Sequence, residues 1–213
     1  MEREKIFIYG KHAVLAAMVN SKRAIDTLYL LKENKDFNFD VKLFLNKNKI
    51  GIKIKYINNN FILNILQKSV KHQGIIARAN KLKLNNYNQI FDKHKYKNGV
   101  ILDSMTDPNN VGAVYRSAKA FGIDFIINSK KNTIIENNSL LNSACGAFET
   151  VNTYIASNIS NAIKSFISEG WWVIGLDHKA KINIADIINK MKPEEKLIFI
   201  LGSEGKGIRR LIK

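Results

Sequence analysis

Cysteine is almost missing from this sequence: Cys145 stands alone among 213 residues. No disulfide can close within the chain, and no cysteine cluster can hold a metal. That fits a reducing, cytoplasmic setting. Neither His12 nor His72 has a partner at metal-ligand spacing, so no metal site is expected. Long apolar runs are missing too. The opening residues MEREKIFIYG do not make a secretory leader, and no run approaches the roughly 20 residues of a membrane span. Neither a Walker loop, G-x-x-x-x-G-K-[ST], nor a G-x-G-x-x-G loop can be fitted, and no acidic ribose ligand is evident. A dinucleotide oxidoreductase is therefore disfavoured. No repeat period is visible. Acidic residues are scarce: 18 Asp and Glu stand against 34 Lys and Arg, a net charge of +16. Such an excess favours a polyanionic partner. Heavy use of Lys, Asn and Ile is also what a biased genome yields, and the lysines are spread along the whole chain. Hydrophobic residues make up 46%, enough for a globular protein of one large or two small domains.

Strands and helices alternate from the start. Ile6–Tyr9 reads as a strand, Ala13–Val19 as a helix and Thr27–Leu31 as a strand. A helix over Val41–Lys49 stops at Gly51. Ile52, Ile54 and Tyr56 alternate with lysines as a half-buried strand. Asn60 can cap a helix through Leu66, His72-Gln73-Gly74 forms a turn, and Ile75–Ala79 is a further strand. Residues 1–80 are thus expected to form one α/β domain. The basic stretch 81–98, with a short helix near Ile90-Phe91, reads as a linker. Its Tyr87, Phe91 and Tyr96 suit RNA contact or a solvated connection equally.

A second domain is expected over 99–213. Its organising stretch is Leu102–Gly122, LDSMTDPNNVGAVYRSAKAFG. An apolar strand leads into Asp107-Pro108, which breaks regular structure. Asn109 or Asn110 can cap a helix starting near Val111, with Arg116 in its second turn and Gly122 as its stop. Further strands are expected at Asp124–Asn128 and Val151–Ile155. Asn138 can cap a helix that runs up to Cys145, read as a small buried apolar residue, and Ser160 or Asn158 can cap a helix reaching Gly170. The runs Trp171–Leu176 and Lys196–Leu201 read as strands covered on both faces, with a short helix at Ile184–Ile188 between them. This order predicts a mostly parallel sheet with helices on both sides. The last strand opens into a glycine-rich loop, Gly202–Gly207, where backbone amides can approach a ligand closely.

The string Asp107, Pro108, Asn110, Gly112, Ala113, Arg116, Ser117, Ala118 resembles the first motif of the SpoU (TrmH) family of RNA ribose 2'-O-methyltransferases, D-P-x-N-x-G-A-x-x-R-[ST]-A. Gly202-Ser203-Glu204-Gly205-Lys206-Gly207-Ile208 resembles its second motif, G-x-E-G-x-G-[IL]. Gly10, His12, Ala13, Val14 and His72, Gln73, Gly74 resemble the G-x-H-A-V and H-Q-G runs of its substrate domain. Ser143–Glu149 resembles its S-A-G-A-x-E segment, with Cys145 as an extra or substituted residue. The family's third motif, S-L-N-[VL]-S, is found nowhere in the sequence.

The resemblance implies a small N-terminal α/β RNA-binding domain and a catalytic domain of the trefoil-knot (SPOUT) type. In the absence of the third motif the catalytic domain is expected to be C-terminally truncated, with an incomplete knot and poor cofactor binding. It implies S-adenosyl-L-methionine as cofactor and structured RNA as substrate, nearest to a guanosine of 23S rRNA. A tRNA ribose and a non-catalytic RNA-binding remnant are the alternatives. It assigns Arg116, Asn110 and Glu204 to the reaction and Leu201, Gly202, Gly205 and Gly207 to the cofactor. Lys11, His12, Lys71, His72 and Arg78 are candidates for RNA contact, with capping or packing as the other role for either histidine. A homodimer is implied for an intact family member.

Overall fold

The computed structural model describes all residues except 1–3, 67–69, 93–95, 131–135 and 213. In chain order the elements are β1 (Lys5–Tyr9), α1 (Lys11–Val19), β2 (Ile25–Leu31), α2 (Lys35–Lys47), β3 (Lys53–Ile57), α3 (Asn59–Leu66), β4 (Ile75–Asn80) and β5 (Asn85–Asn86). After a 3-10 turn at Tyr87–Ile90 follow β6 (Asn98–Asp103), α4 (Pro108–Ala120), β7 (Phe125–Ser129), α5 (Asn138–Ser143), α6 (Ala147–Thr150) and β8 (Asn152–Ala156). The chain continues through α7 (Ile159–Ser168), β9 (Trp171–Gly175), α8 (Ile184–Ile188) and β10 (Lys196–Gly202). Part of the basic stretch read as a linker, residues 93–95, lies outside the described residues.

The chain forms two compact units. Unit 1 combines residues up to 83 with the segment 136–150; unit 2 holds the rest. In unit 1 a four-stranded sheet runs in the order β1-β4-β2-β3. β4 is antiparallel to both neighbours, and β2 and β3 are parallel. The pairs Tyr9–Ile76, Leu30–Ile75 and Leu31–Ile57 bring the carboxyl ends of β1, β2 and β3 to one edge, beside the start of β4. Tyr29, Leu31, Ile57, Ile62 and Leu66 form a core under α3.

Segment 136–150, expected within the second domain, joins unit 1 for an electrostatic reason. Arg23 is fully buried and lies 2.6 Å from Glu136 and 2.5 Å from Glu149, both also buried. Its Nη1 donates to the Asn80 carbonyl at 2.9 Å. Glu136 accepts from the Leu82 amide at 2.9 Å, and Glu149 from the Asn20 side chain at 2.7 Å. A lone guanidinium in this place would be prohibitively desolvated, so the two carboxylates bring their segment with them. Gly146 completes the fit: its φ is +84°, and a Cβ there would stand 2.7 Å from the Ala16 Cβ and 2.8 Å from the His12 carbonyl.

Unit 2 is a six-stranded sheet, β5-β8-β7-β6-β10-β9, parallel throughout. Phe125, Tyr154, Phe166 and Trp171 pack into its aromatic core. Several local expectations need correction. Asp107, not Asn109 or Asn110, caps α4: its side chain accepts from the Asn109 amide at 2.9 Å. Pro108 then opens the helix, where a missing N–H costs nothing. Asn137 takes the cap expected of Asn138, accepting from the Leu140 amide at 2.8 Å. β9 is an edge strand, so its apolar run is not covered on both sides, and Trp172 is 51% exposed. Cys145 is also exposed, because it sits at φ 49° in the turn after α5.

Truncating Arg23 to Ala strands two buried carboxylates and should destabilise unit 1 by about 3–5 kcal/mol in urea unfolding. Replacing Arg23, Glu136 and Glu149 together with apolar residues of similar volume should recover most of that loss.

Candidate functional site

The site in unit 2 follows from strand order. From β6 the chain steps through β7 and β8 in one direction, and β10 and β9 lie on the other side. A crevice therefore opens beyond the carboxyl ends of β6 and β10, the usual ligand position in a parallel sheet. Asp103, the last residue of β6, pairs in register with Gly202, the last of β10. Both motif segments leave the sheet here.

After β6 comes α4. Asn110 is half-buried in its first turn. Because Pro108 begins the helix, Arg116 opens its third turn, not its second, about 12 Å along the axis from Pro108. Helical side chains lean toward the helix N-terminus. The positions three and four residues before Arg116 are Ala113 and Gly112, which leave room for a long side chain to run back toward the crevice. Arg116 itself is exposed.

After β10 the loop folds on itself. Ser203 and Gly207 form a bridge, and the Gly207 amide donates to the Ser203 carbonyl at 2.9 Å. Gly205 and Gly207 have φ values of +76° and +63°, which favour glycine. Gly202 serves a different end: a Cβ there would overlap the Gly207 carbonyl and the Ile208 amide. Glu204 is exposed at the loop tip, and Leu201 is a half-buried strand residue paired with Leu102. Ile208, 5% exposed, anchors the loop in the core.

Sequence reading missed the residues that fasten this loop. Asp103 is completely buried. Its carboxylate accepts from the Arg209 amide at 2.9 Å and from Arg209 Nε at 2.6 Å, and Ser104 Oγ donates to it at 3.3 Å. Ser104 holds φ at 61°. The only signal was an acid closing the apolar run of β6 and an arginine following a glycine loop. Beside the loop, at the end of β9, lies a groove of about 630 Å³ lined by Leu176, Asp177, His178, Ile182 and Ile187 among others. The Leu176 amide donates to the Ile200 carbonyl at 3.0 Å, tying the groove to β10. None of these residues belongs to a motif of the sequence.

In unit 1 the RNA candidates divide. Lys11, His12, Lys71 and His72 gather where β1 ends and β4 begins. The Lys11 amide donates to Gln73 Oε1 at 2.8 Å, and its Nζ lies 4.2 Å from the Phe37 ring. His12 is exposed and does not cap α1, whose N-cap is Gly10. His72 is half-buried, and its Nδ1 accepts from the Gly74 amide at 3.1 Å, so it shapes its own turn. Burial holds the His72 pKa below the ordinary imidazole value. Arg78 stands apart, farther along β4, in an ion pair with Asp26 at 3.3 Å. Among the described residues no group of three or more His, Cys, Asp or Glu is placed to hold a metal, and no helix is long and apolar enough to cross a membrane.

Comparison with known proteins assigns both units' sequences. The SpoU rRNA Methylase family model matches residues 97–213, and the model for RNA 2'-O ribose methyltransferase substrate binding matches residues 7–84. The 23S rRNA (guanosine-2'-O-)-methyltransferase RlmB of Shewanella oneidensis is 31% identical over 216 residues, covering 99% of this chain and 84% of that protein. RlmB of Vibrio vulnificus is 30% identical over 210 residues, covering 97% and 83%. Among solved structures, the SpoU methyltransferase AviRb of Streptomyces viridochromogenes in complex with AdoMet aligns with a TM-score of 0.74 at 14% identity, over 97% of this chain and 76% of that one. An rRNA methyltransferase of Sinorhizobium meliloti aligns with a TM-score of 0.73 at 20% identity, over 98% and 74%. At these identities the two structures share the fold.

Two measurements check the geometry. Asp103→Ala removes two charge-assisted bonds from Arg209, and hydrogen exchange at residues 203–209 should quicken about 10- to 150-fold. NMR titration of the His72 ring should give a midpoint below the ordinary imidazole value. Since the folded state then binds this proton less readily than the unfolded chain, stability rises with pH across that window and is lost as pH falls through the His72 midpoint.

Proposed function

The chain belongs to the SpoU rRNA methylase family, and on that footing we propose that it methylates a ribose 2'-hydroxyl of structured RNA, a guanosine of 23S rRNA. One observation carries this reading beyond family membership. The switch-point crevice of unit 2 receives the α4 motif and the glycine loop together, and Asp103 pins the loop at its rim.

The crevice suits S-adenosyl-L-methionine. The glycine loop exposes backbone at Gly205, where space is open, and the adjoining groove mixes apolar Leu176, Ile182 and Ile187 with polar Asp177 and His178. Leu201, Gly202, Gly205 and Gly207 shape the wall that would hold the cofactor. When bound, it supplies a methyl group carried on a sulfonium, already a good leaving group.

The chain's own residues must then position the ribose and ease the loss of its proton. An arginine stays protonated at any working pH. Arg116 therefore acts as a fixed cation, stabilising the developing 2'-alkoxide or holding the neighbouring phosphate, which is free to take the proton. Asn110 orients Arg116 or the ribose, and Glu204 holds that arrangement from the facing loop. In unit 1, Lys11, His12, Lys71 and His72 form the RNA-reading edge, with Arg78 a more distant contributor. The reading places the protein in the cytoplasm with ribosomal RNA. It also includes a second copy of the chain, supported by exposed apolar side chains in unit 2 such as Trp172, Ile182, Ile188 and Leu211.

Arg116→Ala should lower transfer of a labelled methyl group from S-adenosylmethionine to 23S rRNA by about 100-fold or more, while RNA affinity stays within about threefold. Wild-type transfer rates in that variant would remove Arg116 from the mechanism.

A further inference from the structure

Unit 1 carries further basic surface beyond the Lys11–His72 cluster, at the same end of its sheet, around the edge strand β3. Tyr56 lies next to the carboxyl end of this strand and is 41% exposed. Two grooves meet at it. One, about 490 Å³, opens toward α2 and is lined by Lys32, Lys35, Lys42 and Tyr56. The other, about 420 Å³, opens toward α3 and is lined by Lys32, Lys55, Tyr56 and Phe61. Lys32 and Tyr56 belong to both, so the grooves join into one track over the sheet edge. No carboxylate lines either groove; Glu33, Asp36 and Asp40 on the neighbouring turns stay outside them.

Tyr56 and Phe61 each rest against a neighbour. Lys42 Nζ lies 5.5 Å from the Tyr56 ring centroid. Phe61 is 41% exposed and leans on Tyr29 at 5.8 Å between ring centroids, which limits its freedom. Three large exposed aromatics, Phe39, Tyr56 and Phe61, thus line grooves that also hold four lysines. Cations spaced along a track suit a phosphate backbone, and exposed ring faces suit unpaired bases. A duplex hides its base faces, so the aromatics would be idle against it.

We propose that this track binds a single-stranded segment of the RNA substrate, with the lysines on its phosphates and Tyr56 and Phe61 stacked on its bases. The proposal rests on the reading that RNA is the substrate, and it adds a site and a strand state to that reading.

Fluorescence anisotropy with the full chain tests it, using a labelled 12-nucleotide single-stranded RNA and the same sequence as a duplex. The single strand should bind more tightly. Tyr56→Ala should weaken its binding about 5- to 150-fold, the usual range for one lost stacking partner, and Tyr56→Phe should stay within about twofold of the native chain. The double variant Lys42→Gln/Lys55→Gln, at exposed positions that do not threaten folding, should flatten the slope of log K against log salt by about 1.4. An unchanged affinity in Tyr56→Ala, an unchanged slope in the lysine variant, or displacement of the RNA by a poly-glutamate peptide at lower concentration would overturn the proposal. If the native chain binds RNA and Tyr56→Ala matches it, this inference alone falls. If the native chain binds neither RNA, the RNA-substrate reading falls with it.

Discussion

A buried carboxylate, Asp103, governs the geometry of the crevice in unit 2. An ionised group without solvent must find partners, and the partners here are the amide and guanidinium of Arg209, 106 residues later in the chain. To reach them, the loop after β10 must turn back sharply over the end of β6. That return explains the glycines: Gly205 and Gly207 supply left-handed backbone, and Gly202 supplies the space in which the loop crosses itself. Ile208 then locks the turn into the aromatic core. The motif after β6 and the motif after β10 face one crevice because one acid ties their strands' ends together.

Unit 1 relies on the same physics. Arg23 is buried among Glu136, Glu149 and the Asn80 carbonyl, and those contacts draw in a segment that lies in sequence between β7 and β8. The glutamate of the S-A-G-A-x-E resemblance is thus an ion-pair partner of the first unit's own arginine, and the glycine of that run permits close approach to α1. Residue types that read as a motif in sequence act here as a packing device.

Period and punctuation made much of the fold legible. Alternating strands and helices gave the parallel sheet of unit 2 and the α/β character of unit 1, and the glycine loop fell at the end of a central strand as expected. What was hidden depended on neighbours far away in sequence. An apolar run such as Trp171–Leu176 reads the same at the centre or the edge of a sheet; only strand order shows that Trp172 faces solvent. Asp107-Pro108 reads as a break but is an N-cap with proline at N1, which moves Arg116 one turn along α4. Cys145 reads as apolar filler until its positive φ turns it outward. The ion pair of Arg78 with Asp26 is another contact that no sequence period reveals. Asp103, Arg23 and their partners could not be paired from sequence, because each pair is separated by more than a hundred residues.

In the proposed reaction the crevice between β6 and β10 directs a methyl group to a ribose oxygen and not to a base. The most direct measurement is to incubate the protein with unmodified 23S rRNA and methyl-labelled S-adenosylmethionine, then hydrolyse the RNA in alkali. A 2'-O-methyl group blocks cleavage of the adjacent phosphodiester, so the label should survive in an alkali-resistant dinucleotide that yields 2'-O-methylguanosine on enzymatic digestion. Label recovered in an alkali-labile mononucleotide with a methylated base would contradict the account.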